Sequence, residues 1–190
     1  TEIGERREAI LSVTIPERAG AFRTFCSAIG KRNITEFNYR YESSGEARVF
    51  VGLTVTPDDE GVSALQSVLE RKGYRVLDMT DNETAKLHLR HMIGGRVSRD
   101  IADEMVFRVE FPERPGSLLQ FLNALGNEFS ISLFHYRNHG SAFGRILVGM
   151  QVPASKRAAL KKALSRLGYR FWEETDNLAY REYLGRPATG

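Results

Sequence analysis

The chain has 190 residues with 27 basic and 24 acidic side chains; a formal charge of +3 excludes the strong one-sign field that nucleic acid or a membrane surface calls for. Apolar residues make up 42%, enough for a core in one domain or two small ones, and no apolar run approaches the length of a membrane span. The single cysteine, Cys26, excludes an internal disulfide framework and implies a reducing, cytoplasmic setting.

Residues 1–8 are charged, lack a signal-peptide core and read as a linker; no Met begins the chain, so the expectation is a piece of a longer protein or a processed one. From Ala9 the pattern alternates, with Ala9, Leu11, Val13 and Ile15 on one face and Ser12 and Thr14 on the other, as in a half-buried strand. Then comes Ile15-Pro16-Glu17-Arg18-Ala19-Gly20. Phe22, Phe25, Cys26 and Ile29 follow at i, i+3, i+4, i+7, one stripe of a helix that places Cys26 in the core. Gly30 sits at its end. A strand over 34–41, a turn through Ser43-Ser44-Gly45 and a strand carrying Val49, Val51, Leu53 and Val55 come next. Pro57-Asp58-Asp59 opens a helix with Val62, Leu65, Val68 and Leu69, Asp58 or Asp59 serving as cap, and a fourth strand runs over 74–79. This β-α-β-β-α-β order is ferredoxin-like. A connecting helix over 81–93 ends at Gly94-Gly95, and 96–104 reads as a linker.

The same unit then repeats. Met105, Phe107, Val109 and Phe111 alternate, and Leu118, Phe121, Leu122 and Leu125 repeat the helical stripe. Phe37-Asn38-Tyr39-Arg40 returns as Phe134-His135-Tyr136-Arg137, and Thr80-Asp81-Asn82 as Thr175-Asp176-Asn177. The expected organisation is α+β: two ferredoxin-like subdomains in tandem, 9–95 with the connecting helix and 105–184, and a tail at 185–190.

The turn repeats too, as Phe111-Pro112-Glu113-Arg114-Pro115-Gly116. Proline stops the strand, glycine lets a ligand approach the backbone, and the following helix points unsatisfied N–H groups at it, which suits a carboxylate. A strand-helix connection that merely needs glycine is the plain alternative, but two copies in matching contexts favour a small-ligand site. Its candidates are Gly20, Ala21 and Phe22 with Gly116, Ser117 and Leu118, and from the second strands Asn38, Tyr39, His135 and Tyr136; a tyrosine supplies a flat apolar wall and a hydroxyl.

Other chemistries find no residues to carry them. His88 and His91 share a helical face with no ligand pattern beside them, His135 and His139 are scattered, and no metal is expected. No phosphate loop and no nucleophile elbow occurs. RNA-recognition modules of this fold need exposed aromatics on the first and third strands; the outer first-strand positions here are Ile10, Ser12 and Thr14, and Val106, Arg108 and Glu110.

The Pro-Glu turns, the strand pairs Thr35–Arg40 and Ile131–Arg137, and Ala85-Lys86-Leu87-His88 with Arg90-His91-Met92-Ile93-Gly94-Gly95 resemble the C-terminal regulatory region of biosynthetic threonine deaminase, from about Ala9 to Leu184. The resemblance implies two ACT-like subdomains that bind isoleucine as feedback inhibitor and valine as its antagonist. It implies effector contacts at Phe22, Arg32, Tyr39, Glu113, Gly116, Leu118, Leu122 and Tyr136. It implies a catalytic domain in the same chain that uses pyridoxal phosphate to turn threonine into 2-oxobutanoate, and a homo-oligomer. This stretch itself is then expected to hold no cofactor and to catalyse nothing alone. Ala19 stands where the second turn has Pro115, so the two sites need not be equivalent. A self-standing amino-acid-binding protein acting on a separate enzyme is the alternative.

Overall fold

The computed structural model describes residues 7–41, 45–55, 61–87, 102–114, 116–138 and 142–185. The first unit runs β1 (Arg7–Pro16), α1 (Ala21–Ile29), β2 (Ile34–Arg40), β3 (Glu46–Val55), α2 (Gly61–Arg71), β4 (Arg75–Asp78) and α3 (Glu83–Leu87). The second repeats it as β5 (Glu104–Pro112), α4 (Ser117–Leu125), β6 (Ser130–Arg137), β7 (Phe143–Gln151), α5 (Arg157–Arg166), β8 (Arg170–Glu173) and α6 (Leu178–Tyr183).

Both units are ferredoxin-like, and they share one sheet. Its order is β4-β1-β3-β2-β6-β7-β5-β8, with every pair antiparallel. The seam is the β2–β6 pair, where Phe37 faces Tyr136, Asn38 faces His135, Tyr39 faces Phe134 and Arg40 faces Leu133. Side chains alternate across a sheet, so this register sends Phe37, Tyr39, Phe134 and Tyr136 to one face and Asn38, Arg40, Leu133 and His135 to the other.

Helices α1, α2, α4 and α5 cover the first, front face. The stripes read from the sequence, Phe22, Phe25, Cys26 and Ile29 on α1 and Leu118, Phe121, Leu122 and Leu125 on α4, are all buried in one core continuous across both units. Phe25 and Phe121 are fully enclosed, each burial contributing about 2–3 kcal/mol.

The back face carries the short helices. The repeated Thr-Asp-Asn explains their positions. Asn82 and Asn177 cap α3 and α6, their side-chain oxygens accepting from the N–H groups of Ala85 (3.0 Å) and Ala179 (2.9 Å). Thr80 and Thr175 accept from the backbone N–H of Ile10 (3.2 Å) and Val106 (3.1 Å) on the first strand of each unit. Under α6 lies a buried ion pair: Arg40 donates to both oxygens of Glu104 at 3.1 Å, with 4% and 5% of their side chains exposed. Ser132 and Tyr180 also donate to Glu104, and Arg40 to the Leu184 carbonyl.

Several sequence expectations change. Glu104, assigned to a linker, begins β5. The fourth strand is shorter than 74–79, and α6 was not foreseen as a separate helix although its start repeats that of α3. The remainder of the connecting helix beyond Leu87, the Ser43-Ser44 turn and the Asp58 or Asp59 cap lie outside the described residues.

Candidate functional site

Each Pro-Glu-Arg-x-Gly turn holds its glycine in the left-handed region, Gly20 at φ 81° and Gly116 at φ 86°, directly ahead of α1 and α4. No side chain caps either helix start; the first N–H of each, on Ala21 and Ser117, donates to the carbonyl of Arg18 and Arg114 at 3.1 Å, so an anion would meet the N–H groups that follow. What each turn faces comes from the other unit. The antiparallel seam brings the turn of one unit against the helix end and second-strand start of its neighbour.

At the second turn the result is a cavity of about 770 Å³, within the range of small-molecule sites. The second unit contributes Phe111, Glu113, Arg114, Gly116, Leu118, Leu119, Tyr136 and Asn138, and the first contributes Cys26 and residues 30–34 with Thr54. The Tyr136 hydroxyl donates to Glu113 Oε1 at 2.5 Å. Burial first, then that bond and the carboxylate charge, push the Tyr136 phenol well above its ordinary value, so it stays protonated and donating. Glu113 is fixed further by its backbone N–H to Ala142, 3.0 Å, and by Gly144, where an added Cβ would lie 2.5 Å from Glu113 Oε1 and 2.7 Å from Phe111. Arg32 donates to the Ile29 carbonyl at 2.7 Å, which holds the guanidinium at the cavity mouth. Burial raises the Cys26 thiol strongly, so Cys26 acts as an apolar wall rather than a nucleophile.

The pseudo-equivalent space at the first turn is nearly absent. About 10 Å³ remains between Gly20, Phe22, Tyr39, Leu122, Phe129 and their neighbours, room for at most one water. Phe22 fills it, ring-packed on Phe134 (4.7 Å between centroids), Tyr39 (5.4 Å) and Phe37 (5.5 Å). Phe129, aligned with Asn33 when Gly126 is matched to Gly30, is buried beside it. Arg23 closes the rim with bonds to Asn123 (2.8 Å) and Asn127 (3.1 Å), and Asn127 Oδ1 lies 2.7 Å from where a Cβ on Gly20 would stand.

The expected effector residues therefore divide. Arg32, Glu113, Gly116, Leu118 and Tyr136 meet in the open cavity; Gly20, Phe22, Tyr39 and Leu122 meet in the closed one. Asn38 and His135 line neither: the alternation that points Tyr39 and Tyr136 forward turns these two to the back, where the Asn38 amide donates to Glu36 at 2.9 Å. Lys31 and Asn33 were not anticipated, because sequence spacing within one unit does not show which residues the neighbouring unit supplies; Arg114, in the turn itself, and Asn138, just past β6, also line the cavity and were not among the candidates. Among the described residues no group of three or more potential metal ligands occurs, and no helix is long and apolar enough to cross a membrane. His88, His91 and His139 lie outside those residues.

Residues 1–89 and 95–184 match the profile of the C-terminal regulatory domain of threonine dehydratase. The chain belongs to that family. Its relatives include L-threonine dehydratase biosynthetic IlvA of Burkholderia multivorans, 46% identical over 183 residues, and that of Escherichia coli, 45% identical over 183 residues. Threonine dehydratase, mitochondrial, of Saccharomyces cerevisiae is 37% identical over 190 residues. Each match covers 96% of this chain but only 36%, 35% and 33% of the relative, so this regulatory domain spans about a third of the length of the curated relatives it matches.

Proposed function

We propose that this regulatory domain binds a branched-chain amino acid in the cavity at the Gly116 turn and thereby controls a threonine dehydratase, with isoleucine as feedback inhibitor and valine as antagonist. The observation that carries this reading is the asymmetry of the two turns: one repeat keeps a cavity of about 770 Å³, ample for an amino acid, where its pseudo-equivalent is filled. The chemistry of the lining suits a zwitterion. The uncapped start of α4 behind Gly116 accepts a carboxylate, with Arg32 nearby, and Glu113 accepts the ammonium. Phe111, Leu118, Cys26 and Ile34 offer the apolar wall for a branched side chain.

Isoleucine and valine differ by one methylene, which an apolar wall distinguishes by only about 1–3 kcal/mol. Their opposed effects then arise from competition for one cavity, each ligand favouring a different conformation. The controlled reaction, conversion of threonine to 2-oxobutanoate and ammonia, is assigned to the catalytic part of a homo-oligomeric enzyme of the relatives' length. Pyridoxal phosphate, which that reaction implies, does not fit the residues described: the one lysine at the cavity, Lys31, is exposed, and no glycine-rich phosphate loop stands near it. No step of its chemistry is assigned to this domain.

The test is calorimetric titration of the chain with L-isoleucine, L-valine and L-threonine. Saturable binding of the first two, each displacing the other, is expected. Absence of any isoleucine binding contradicts the proposal.

A further inference from the structure

On the side of the first turn away from the seam lies a second opening, a cleft of about 380 Å³, within the range of small-molecule sites. Its cations come from three elements: Arg18 from the Gly20 turn, Lys72 from just past α2 and Arg75 from the start of β4. Among the described residues of the lining, Glu46 is the one carboxylate. Arg75 holds it at 2.6 Å, but the two side chains are 73% and 61% exposed, so that bond contributes little and is readily exchanged for an anion. Arg18 and Lys72 make no ion pair among the described residues. Asn127, supplied by the second unit, has its Oδ1 occupied by Arg23 at 3.1 Å, which leaves its amide N–H groups as donors.

This excess of cations is particular to the first unit. Matching Gly73-Tyr74-Arg75 to Gly168-Tyr169-Arg170 puts Leu167 in the place of Lys72, and the first-strand registers put Glu110 in the place of Thr14. The chemistry also differs from that of the effector cavity, where Glu113 can receive an ammonium. Here the carboxylate is already bonded and three cations border one space. A phosphoryl dianion, with several oxygens to share among them, suits that lining better than a zwitterion does.

Helix α1 lines both spaces. Gly20, Ala21 and Thr24 border the cleft, while Cys26 and residues 30–34 border the effector cavity. The nine residues of the helix put about 13 Å between its ends. The Ala21 N–H donates to the Arg18 carbonyl at 3.1 Å, which ties the start of α1 to the turn that bears Arg18.

We infer that the cleft binds a phosphoryl group, free or carried by a small molecule, and that its occupancy weakens effector binding at the far end of α1. The coupling rests on the proposed effector site and adds its regulation. An anion held between Arg18, Lys72 and Arg75 draws the turn towards β4, the edge strand farthest from the seam in the first unit. A helix that follows as a rod carries its end away from the Gly116 turn of the second unit and widens the effector cavity. The anion then binds the widened state better and the effector the closer one, the condition for one ligand to oppose another.

Calorimetry on the full chain at constant ionic strength tests this, with inorganic phosphate and glycerol 3-phosphate as probes. Saturable binding of one anion per chain is expected. Tighter binding of the ester assigns the site to a phosphorylated molecule, and equal or weaker binding assigns it to the free ion. Lys72→Leu copies the residue of the second unit, and Lys162→Leu removes an equal charge from an exposed position on α5 as the control. The first is expected to weaken anion binding about tenfold and the second to leave it unchanged. With the tighter probe at saturation, isoleucine affinity is expected to fall about fivefold in the parent and to hold in Lys72→Leu. No binding of either probe, or the same anion affinity in both variants (an adventitious ion only), overturns the site. Anion binding that leaves isoleucine affinity unchanged or raises it overturns the coupling and leaves the site standing. If isoleucine does not bind at all, the effector reading and the coupling fail together, while the anion titration still decides the cleft.

Discussion

Gly20 and Gly116 hold the same left-handed backbone ahead of nine-residue helices, yet a side chain on Gly20 would strike Asn127 while one on Gly116 would meet nothing within 4 Å. A few substitutions account for the difference. Phe22 stands for Leu118, Arg23 for Leu119 and Phe129 for Asn33, and in each case the first site carries the larger or the bonding group. Duplication of a fold therefore preserved the backbone geometry of both turns, while side-chain volume filled the seam-side space at the first; what space remains at Gly20 is a cleft of about 380 Å³ on the turn's other side, towards Glu46 and residues 72–75. The lesson is general for repeats: a shared turn motif marks where a site can be, while its neighbours across the seam decide whether it exists.

The comparison can be broken most directly by exchanging that volume. Leu118→Phe copies the plug of the first site into the second. Losing the burial of a branched aliphatic side chain is worth about 1.5–3 kcal/mol, so isoleucine affinity is expected to fall about 10- to 100-fold by calorimetry. The fold should barely change, since the ring enters open space. The converse change, Phe22→Leu, removes core packing instead. It is expected to lower stability by about 1–2 kcal/mol in urea unfolding and to leave isoleucine affinity nearly unchanged. Equal stability loss in the two variants would show that both spaces are core.

The two tyrosines sharpen the contrast further. Tyr136→Phe deletes the hydroxyl that orients Glu113 and is expected to weaken isoleucine binding by about 1 kcal/mol, roughly fivefold. Tyr39→Phe, in the closed space, is expected to leave it unchanged. In the full enzyme, assayed as threonine turnover against isoleucine concentration, Tyr136→Leu should lose feedback inhibition and keep its rate without effector. Retention of the parent inhibition curve would make Tyr136 a core residue only.

The smallest effect concerns alkaline pH. Tyr136, Tyr180 and Cys26 all have folded-state pKa values raised, chiefly by burial, above the ordinary 10.0 of tyrosine and 9.0 of cysteine. Above those ordinary values the unfolded chain releases protons that the folded chain retains, so the stability these groups contribute is complete below pH 9 and declines as pH rises beyond 10. Urea midpoints at pH 8 and pH 10.5 should show this decline, and Tyr136→Phe with Tyr180→Phe should reduce it.

Much of this architecture was legible in the sequence because it depends on local periodicity. The stripes on α1 and α4 and the alternation of β1 and β5 each act within a few residues and were found by spacing alone; the Thr-Asp-Asn repeat was seen too, but not that its asparagines cap α3 and α6. The joint between the units was not legible. Nothing in the spacing of Arg40 and Glu104 announces that they meet under α6, and nothing near the Gly116 turn names Arg32 or Asn33 as its opposite wall. The resemblance brought Arg32 and Glu113 onto the candidate list, but it also mixed residues of the open and closed spaces, since both copies descend from one pattern. Asn38 and His135 were chosen by proximity to the tyrosines, and the two-residue period of a strand turns them to the opposite face.

The central claim is that only the second turn binds effector. Calorimetric stoichiometry of L-isoleucine on the parent chain and on Leu118→Phe tests it most directly. One isoleucine per chain, with binding strongly weakened in the variant, is the expected result. Two per chain, or one that binds Leu118→Phe as tightly as the parent, would contradict it.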